Sequence, residues 1–291
     1  MRVGVTGANG MLGRDLVPVL RDRGHEVLAW AREDYDVCDP SKVTAVVAEA
    51  RPDLIIHAAA YSQVDKAESE VELAMRVNGD GAKNVAIACR DCRIPILYIG
   101  TDYIFDGAKG TPYLPDDSPN PVNVYGHTKL AGERAVIDLL EDYCIVRTSW
   151  LYGREGHNFV RTILQLAREK TEIEIVNDQI GSPTWTGTLA RALVDLIDVS
   201  ARGIFHVTDA CEGISWYDFA IAIVDTVGVS VCVNPITTGD LSRAARRPPY
   251  SVLDLRKTEA TLGYSLPAWR QSLKKACLDQ NSKTSIQAHC S

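Results

Sequence analysis

The feature that most constrains this chain is a glycine-rich turn, Gly7-Ala8-Asn9-Gly10-Met11-Leu12-Gly13. It lies between a β-branched run, Val3–Thr6, and a helical pattern from Met11 to Asp22. Glycines at the first, fourth and seventh positions permit a tight turn and close backbone approach, with the positive end of the following helix aimed into the turn. Any strand–helix junction can use glycine. Directly after the opening strand, however, G-x-x-G-x-x-G is a variant of the dinucleotide fingerprint. It nominates Gly7, Asn9, Gly10, Met11, Leu12 and Gly13 as cofactor contacts.

The alternation of strand and helix continues. Glu26–Trp30, Asp53–His57, Ile96–Ile99 and Tyr143–Thr148 read as strands. Lys42–Ala50, with Ser41 as N-cap, much of Ser69–Arg93, and Val124–Leu140 read as helices. Strands separated by such helices form βαβ units, so the expected class is α/β: a Rossmann-like, doubly wound parallel sheet. The second half is less regular, with helices over Phe159–Lys170, Thr186–Val199 and Trp216–Val227 and strands over Glu172–Val176 and Ser230–Ile236. Ile204–Val207 reads as one more strand of the main sheet. This predicts a dinucleotide-binding domain over residues 1–150 plus 185–207, and a smaller interleaved α+β substrate lobe over 151–184 and 208–278. Residues 279–291, polar and unpatterned, read as a disordered tail.

Composition narrows the function. A net charge of −7 argues against a nucleic-acid partner, and no apolar run is long enough for a membrane span. The first residues read as a strand rather than a secretory signal, which predicts a cytoplasmic protein. Cys89 and Cys92 form a C-x-x-C inside a helical pattern, with no second pair at zinc-site spacing, and read as incidental thiols.

At the end of the second strand, where an acid commonly holds an adenosine ribose, the chain reads Leu28-Ala29-Trp30-Ala31-Arg32-Glu33. Arg32 suits a 2′-phosphate and points to NADPH; Glu33 and Asp34 pull the other way and keep NADH as the alternative. Ala58-Ala59-Ala60, after the third strand, gives small side chains where a cofactor could lie against backbone. Thr101 closes the fourth strand, at the carboxyl edge where ligands of parallel sheets bind. Tyr125 and Lys129 stand four apart on a helix, hence on one face. A free phenol titrates near about 10, and an adjacent ammonium would lower that value toward proton exchange. The spacing alone arises by chance in a chain with 11 tyrosines; it gains weight from following a fingerprinted sheet.

These motifs, in this order, resemble the extended short-chain dehydrogenase/reductase superfamily. Longer stretches narrow the resemblance: His57-Ala58-Ala59-Ala60-Tyr61, Val64-Asp65-Lys66-Ala67-Glu68, Thr101-Asp102-Tyr103-Ile104-Phe105-Asp106-Gly107, and Asn123 through Glu133. Arg147-Thr148-Ser149-Trp150, Asn158-Phe159 and Asp178 through Thr184 continue it. Together, over Met1 to Cys277, they are similar to the dTDP-4-dehydrorhamnose reductase family. The resemblance implies NADPH-dependent reduction of the C4 ketone of a dTDP-linked 4-keto-6-deoxysugar. In that reading Tyr125 is proton donor, Lys129 holds the nicotinamide ribose and depresses the Tyr125 pKa, and Thr101 bonds the same substrate oxygen. Asp102, Trp150 (by a flat apolar face) and Asn158 contact the sugar, and Asp39 the adenine end.

A diphosphate substrate needs local positive charge on an acidic protein. Arg243, Arg246 and Arg247, followed by Arg256 and Lys257, supply it, with Arg247 the chosen substrate ligand. The chain also departs from the family pattern. Gly100 stands where Ser is common, and Tyr250-Ser251 follows Pro248-Pro249 where Asn-Ser is common. Some members bridge a dimer through a metal held by a glutamate after the Gly-Ser/Ala-Pro-Thr segment. Here Trp185-Thr186-Gly187-Thr188 has no acid, so no metal is expected and a homodimer stays an open alternative. Two other functions compete: reduction of another nucleotide-linked 4-ketosugar, and a non-catalytic regulatory subunit resembling that of methionine adenosyltransferase. A dehydratase is disfavoured because Tyr103, not Glu, follows Asp102.

Overall fold

β1 (Arg2–Thr6) leads through the glycine turn into α1 (Met11–Asp22), then β2 (Glu26–Trp30), α2 (Pro40–Ala50) and β3 (Leu54–His57). The computed structural model describes residues 1–33 and 35–287; Asp34, weighed above against NADPH, lies outside the described residues. Two short helices, α3 (Val64–Ala67) and α4 (Val71–Met75), precede one π-helical turn, Arg76–Asp80, and α5 (Gly81–Cys92). β4 (Ile96–Thr101), α6 (Val124–Leu139) and β5 (Tyr143–Thr148) follow.

Beyond β5 come β6 (Leu151–Tyr152), α7 (Phe159–Glu169), β7 (Glu172–Val176), β8 (Ile180–Gly181), β9 (Thr184–Trp185), α8 (Thr186–Asp198) and β10 (Gly203–His206). The chain ends with β11 (Ile214–Ser215), α9 (Trp216–Val227), β12 (Cys232–Ile236), α10 (Arg256–Leu262) and α11 (Trp269–Gln287).

The six-stranded sheet runs β10-β5-β4-β3-β1-β2, all parallel. β3 is buried at every residue, as a strand covered on both faces requires. One face packs α1 and α8 around Leu16, Leu20, Leu189 and Leu193; the other packs α2 and α5 around Val43, Val47, Val85 and Cys89. Strand order reverses between β1 and β3, and the crevice beyond their carboxyl ends is where such a sheet takes a ligand. A separate apolar core, built on Ile163, Phe219, Ile223, Trp269 and Leu273, holds α7, α9 and α11 against the parallel pair β7/β12. The antiparallel pair β8/β11 completes this region. Among the described residues, no helix is long and apolar enough to cross a membrane.

Three local expectations change. Asp39, not Ser41, caps α2: Pro40 takes the first helical turn, and the Asp39 carboxylate accepts from Ser41 N and Lys42 N, each at 3.0 Å. The stretch expected as a helix over Ser69–Arg93 is interrupted by the π-helical turn, which turns the Asn78 side chain inward. Finally, α11 runs to Gln287, through most of the stretch expected to be disordered. That stretch has no glycine or proline to stop a helix; 288–291 lie outside the described residues.

Candidate active site

The glycine turn and the alanine loop meet at the switch between β1 and β3. Gly7 has a φ of +69°, and a Cβ there would come within 2.8 Å of the Ala59 amide nitrogen. A Cβ on Gly13 would strike the Ala8 carbonyl, so that position lets α1 close on the turn. Gly10 begins α1 with no side-chain cap and no acid in the first turn, leaving the helix amides to an anion. This cradle fits a dinucleotide pyrophosphate.

Leu12 offers only backbone, since its side chain is core, and Met11 packs toward Gly153. Asn9 is exposed, its carbonyl accepting from Arg14 Nε. Ala58 and Ala59 are half-buried and Ala60 is exposed. The Ala59 amide donates to Thr6 Oγ1 at 3.2 Å, which in turn meets His57 Nδ1 at 2.9 Å. Trp30 folds over Gly4 and stacks on Tyr35 at 4.8 Å, and Arg32 is exposed beyond it. Asp39 spends its carboxylate on the α2 cap.

Thr101 ends β4 in register with Thr148 and is buried. Its hydroxyl donates to Asp102 Oδ1 at 3.1 Å, accepts from Tyr103 N at 3.2 Å, and shares a hydrogen bond with the Tyr125 phenol. Tyr125 sits in the first turn of α6, which Asn123 caps by accepting from Gly126 N at 2.8 Å. Gly126 is required because α6 there touches the Tyr103 carbonyl. Burial pushes the Tyr125 phenol up to about 12, opposed by the Thr101 hydrogen bond and assisted by Asp102. Burial likewise pushes the Asp102 carboxyl up to about 7, against hydrogen bonds from Ser251 and Thr101.

Lys129 is buried beneath this group. Its Nζ donates to the Ile99 carbonyl at 2.7 Å and lies 4.3 Å from the Tyr98 ring centroid. Burial pulls the ammonium down to about 7, opposed by Glu133. The expected depression of Tyr125 by Lys129 is therefore not met: Lys129 faces Ile99 and Glu133, and the phenol titrates high.

Sequence reasoning missed two supports. Glu133, on the same α6 face at the next i+4 step, is 2% exposed and pairs with Arg147, also 2% exposed, through contacts of 2.6 and 3.2 Å. A Cβ on Gly100 would come within 2.9 Å of Arg147 Cγ, so glycine leaves this pair room in the present packing. Asn78 ties the loop after β3 to α6. It accepts from Tyr61 N at 2.8 Å and donates to Tyr61 O and Thr128 Oγ1, each at 3.0 Å, and Thr128 donates to the Tyr125 carbonyl. The three-residue spacing of Tyr125 and Thr128 and the i+4 run to Glu133 carried a signal; Asn78 in a broken helix carried none.

The expected sugar contacts are less exposed than the sequence implied. Trp150 has a φ of +45°, uncommon for a bulky residue. One of its faces is already covered by Trp216, at 3.5 Å between centroids and 8° between planes. Asn158 caps α7 through Arg161 N and donates to the Gly153 and Gly156 carbonyls, so its amide serves its own loop. Arg247 grips Asp65 through both terminal nitrogens, at 2.9 and 2.7 Å. Arg256 and Lys257 do not join the basic cluster. Arg256 pairs with Asp254, and Lys257 reaches the start of β10 and the Phe205 ring, at the sheet edge opposite Thr101.

Residues 1–282 match the family model described as RmlD substrate binding domain. A dTDP-4-dehydrorhamnose reductase of Streptomyces griseus is 43% identical over 279 residues, covering 94% of this chain and 91% of that protein. A dTDP-4-keto-6-deoxy-D-glucose reductase of Streptomyces niveus is 44% identical over 251 residues, covering 86% and 87%. The crystal structure of dTDP-4-dehydrorhamnose reductase from Bacillus anthracis, in complex with NADP, superposes with a TM-score of 0.92 at 40% identity. That match covers 96% of this chain and 99% of the other.

Proposed function

Since the chain belongs to the RmlD substrate-binding-domain family, we propose that it is a cytoplasmic reductase of dTDP-4-dehydro-L-rhamnose, producing dTDP-L-rhamnose with NADPH. The observation that carries the reading is the group of buried Thr101 and Lys129 with half-buried Tyr125 at the carboxyl end of β4, beside the Gly7–Ala59 cradle. Residues 1–150 and 185–207 hold the cofactor, and 151–184 with 208–278 receive the sugar. Bound NADPH supplies a hydride to C4.

The residues supply a proton and a position. Tyr125, protonated across the neutral range, donates to the C4 oxygen as negative charge develops there. Thr101 hydrogen-bonds the same oxygen and orients the phenol. Lys129, held against the Ile99 carbonyl, would hold the nicotinamide ribose. Asp102, its carboxyl pushed up by burial and hydrogen-bonded to Thr101, would line the sugar side. The Gly10 amide closes the turn onto the Gly7 carbonyl at 2.9 Å, and the amides of Met11 and Leu12 would take the cofactor pyrophosphate.

The test is NADPH oxidation by the purified protein with dTDP-4-dehydrorhamnose generated in situ from dTDP-glucose. Oxidation coupled to dTDP-rhamnose supports the reading. The relative named dTDP-4-keto-6-deoxy-D-glucose reductase supports a second substrate, and the same assay with that sugar separates the two by their kcat/KM values.

A further inference from the structure

Residues 241–251 run from the smaller lobe beside the site, and three anchors in the helices and loops that follow β3 and β4 hold them there. Asp65, in the helix after β3, accepts from Ala245 N at 3.1 Å and from both terminal nitrogens of Arg247. Asn123, the N-cap of the catalytic helix, donates to the Arg246 carbonyl at 2.8 Å. Gly107, at a φ of +83°, receives Pro248 and Pro249 so closely that a Cβ would meet Pro249 Cδ at 2.6 Å. The segment then pairs with Ile180 and ends at Ser251, which hydrogen-bonds Asp102.

Within this strap the arginines differ in what they have left to give. Arg247 donates to Asp65 twice and to its own Ala245 carbonyl, and its side chain is 11% exposed. A bidentate carboxylate partner satisfies the guanidinium fork and cancels its charge. Arg243 is 51% exposed and 3.8 Å from the same carboxylate, so one carboxylate faces two guanidinium groups. Arg246 is exposed and has no carboxylate partner among the described residues, so the uncancelled positive charge lies at Arg243 and Arg246, in a chain of net charge −7.

We infer that Asp65 and Arg247 form a clip that holds the strap over the site, and that the exposed Arg243 and Arg246, not Arg247, receive the substrate diphosphate. Asp65 is thus a positioning residue that acts through the strap. The inference rests on the dTDP-sugar reading for its ligand, whereas the clip itself rests on geometry alone. It reassigns Arg247 from the substrate contact expected from sequence.

Two measurements on the full chain test it. The first is limited trypsin digestion, which cuts after Arg243 and Arg246 when the strap is loose; the Arg247–Pro248 bond resists trypsin. Asp65→Asn and Arg247→Ala should both speed strap cleavage about tenfold, and the exchanged pair Asp65→Arg with Arg247→Asp should restore resistance. Equal cleavage of wild type and Asp65→Asn overturns the clip.

The second is binding of dTDP, with KM and kcat for the dTDP-sugar. Arg243→Ala with Arg246→Ala should raise the dTDP Kd about tenfold or more, and each single variant, which keeps one cleavable arginine in the strap, should leave the strap resistant. Asp65→Asn should raise KM with kcat within about threefold, since the reacting groups are untouched. If Asp65→Asn tightens dTDP binding while Arg247→Ala weakens it, Arg247 is the direct ligand and the assignment to Arg243 and Arg246 is overturned. A wild type that binds no dTDP overturns that assignment together with the substrate reading, and the proteolysis result then judges the clip alone.

Discussion

Lys129 gives an ammonium proton to the Ile99 carbonyl at 2.7 Å, inside a site that pulls its pKa down to about 7. The consequence is a defined slope of stability with pH. An unfolded lysine stays protonated to about 10.4, so between about pH 7 and 10 the unfolded chain binds a proton that the folded chain has released. Stability contributed by this residue therefore rises with pH across that window and carries a constant penalty below it. Lys129→Met should remove the rise, seen as a divergence of urea midpoints between the two proteins from pH 7 to 10. Parallel midpoints would show that Lys129 keeps its proton in the folded state.

Tyr125→Phe removes the proposed proton donor and leaves the ring in place. Turnover should fall by about 10²–10⁴, while NADPH affinity, read by fluorescence titration, stays within about twofold of wild type, since cofactor contacts are untouched. Near-normal turnover would take Tyr125 out of its role. Thr101→Val should produce a smaller loss, because it removes the hydrogen bond to the phenol and not the proton itself.

How much of this was legible in the sequence follows from how local each demand is. The glycine at position 7 answers a positive φ and the backbone of Ala59, and α1 and β2 begin and end at the residues the pattern gave. The sheet follows from alternation. By contrast, Arg247 looked like a free cation because its partner, Asp65, lies 182 residues away. Trp150 looked like an open face because Trp216 comes from the far side of the β8/β11 pair. The Asn78 tether needs a π-helical turn, which has no composition signal. Even the α2 cap turned on a neighbour: Asp39 and Ser41 are both good capping residues, and Pro40 decided between them.

Arg32 is exposed past the β2 terminus, beyond the Trp30–Tyr35 stack. As a receiver of the 2′-phosphate it should matter to one cofactor alone. Arg32→Ala is expected to lower kcat/KM for NADPH about tenfold and for NADH by less than twofold. Equal losses with both cofactors would return Arg32 to the solvated loop.

Gly100→Ser tests the floor of the site. The new Cβ would lie 2.9 Å from Arg147 Cγ and 3.2 Å from Glu133 Oε2, two side chains that are each 2% exposed. Arg147 cannot retreat freely, because it also donates to the Pro115 carbonyl at 2.9 Å and stands over the Phe105 ring. Overpacking of this kind costs about 1–3 kcal/mol, and any loosening of the ion pair adds to it, since a buried charge left without its partner is expensive. Glu133 is the group that opposes the loss of charge on Lys129, so a displaced carboxylate should also shift the apparent pKa of cofactor binding downward. Gly100→Ser should therefore lower the urea midpoint and move the pH dependence of NADPH affinity together. A lower midpoint with an unmoved pH profile would mean that Arg147 yields while Glu133 keeps its place under Lys129.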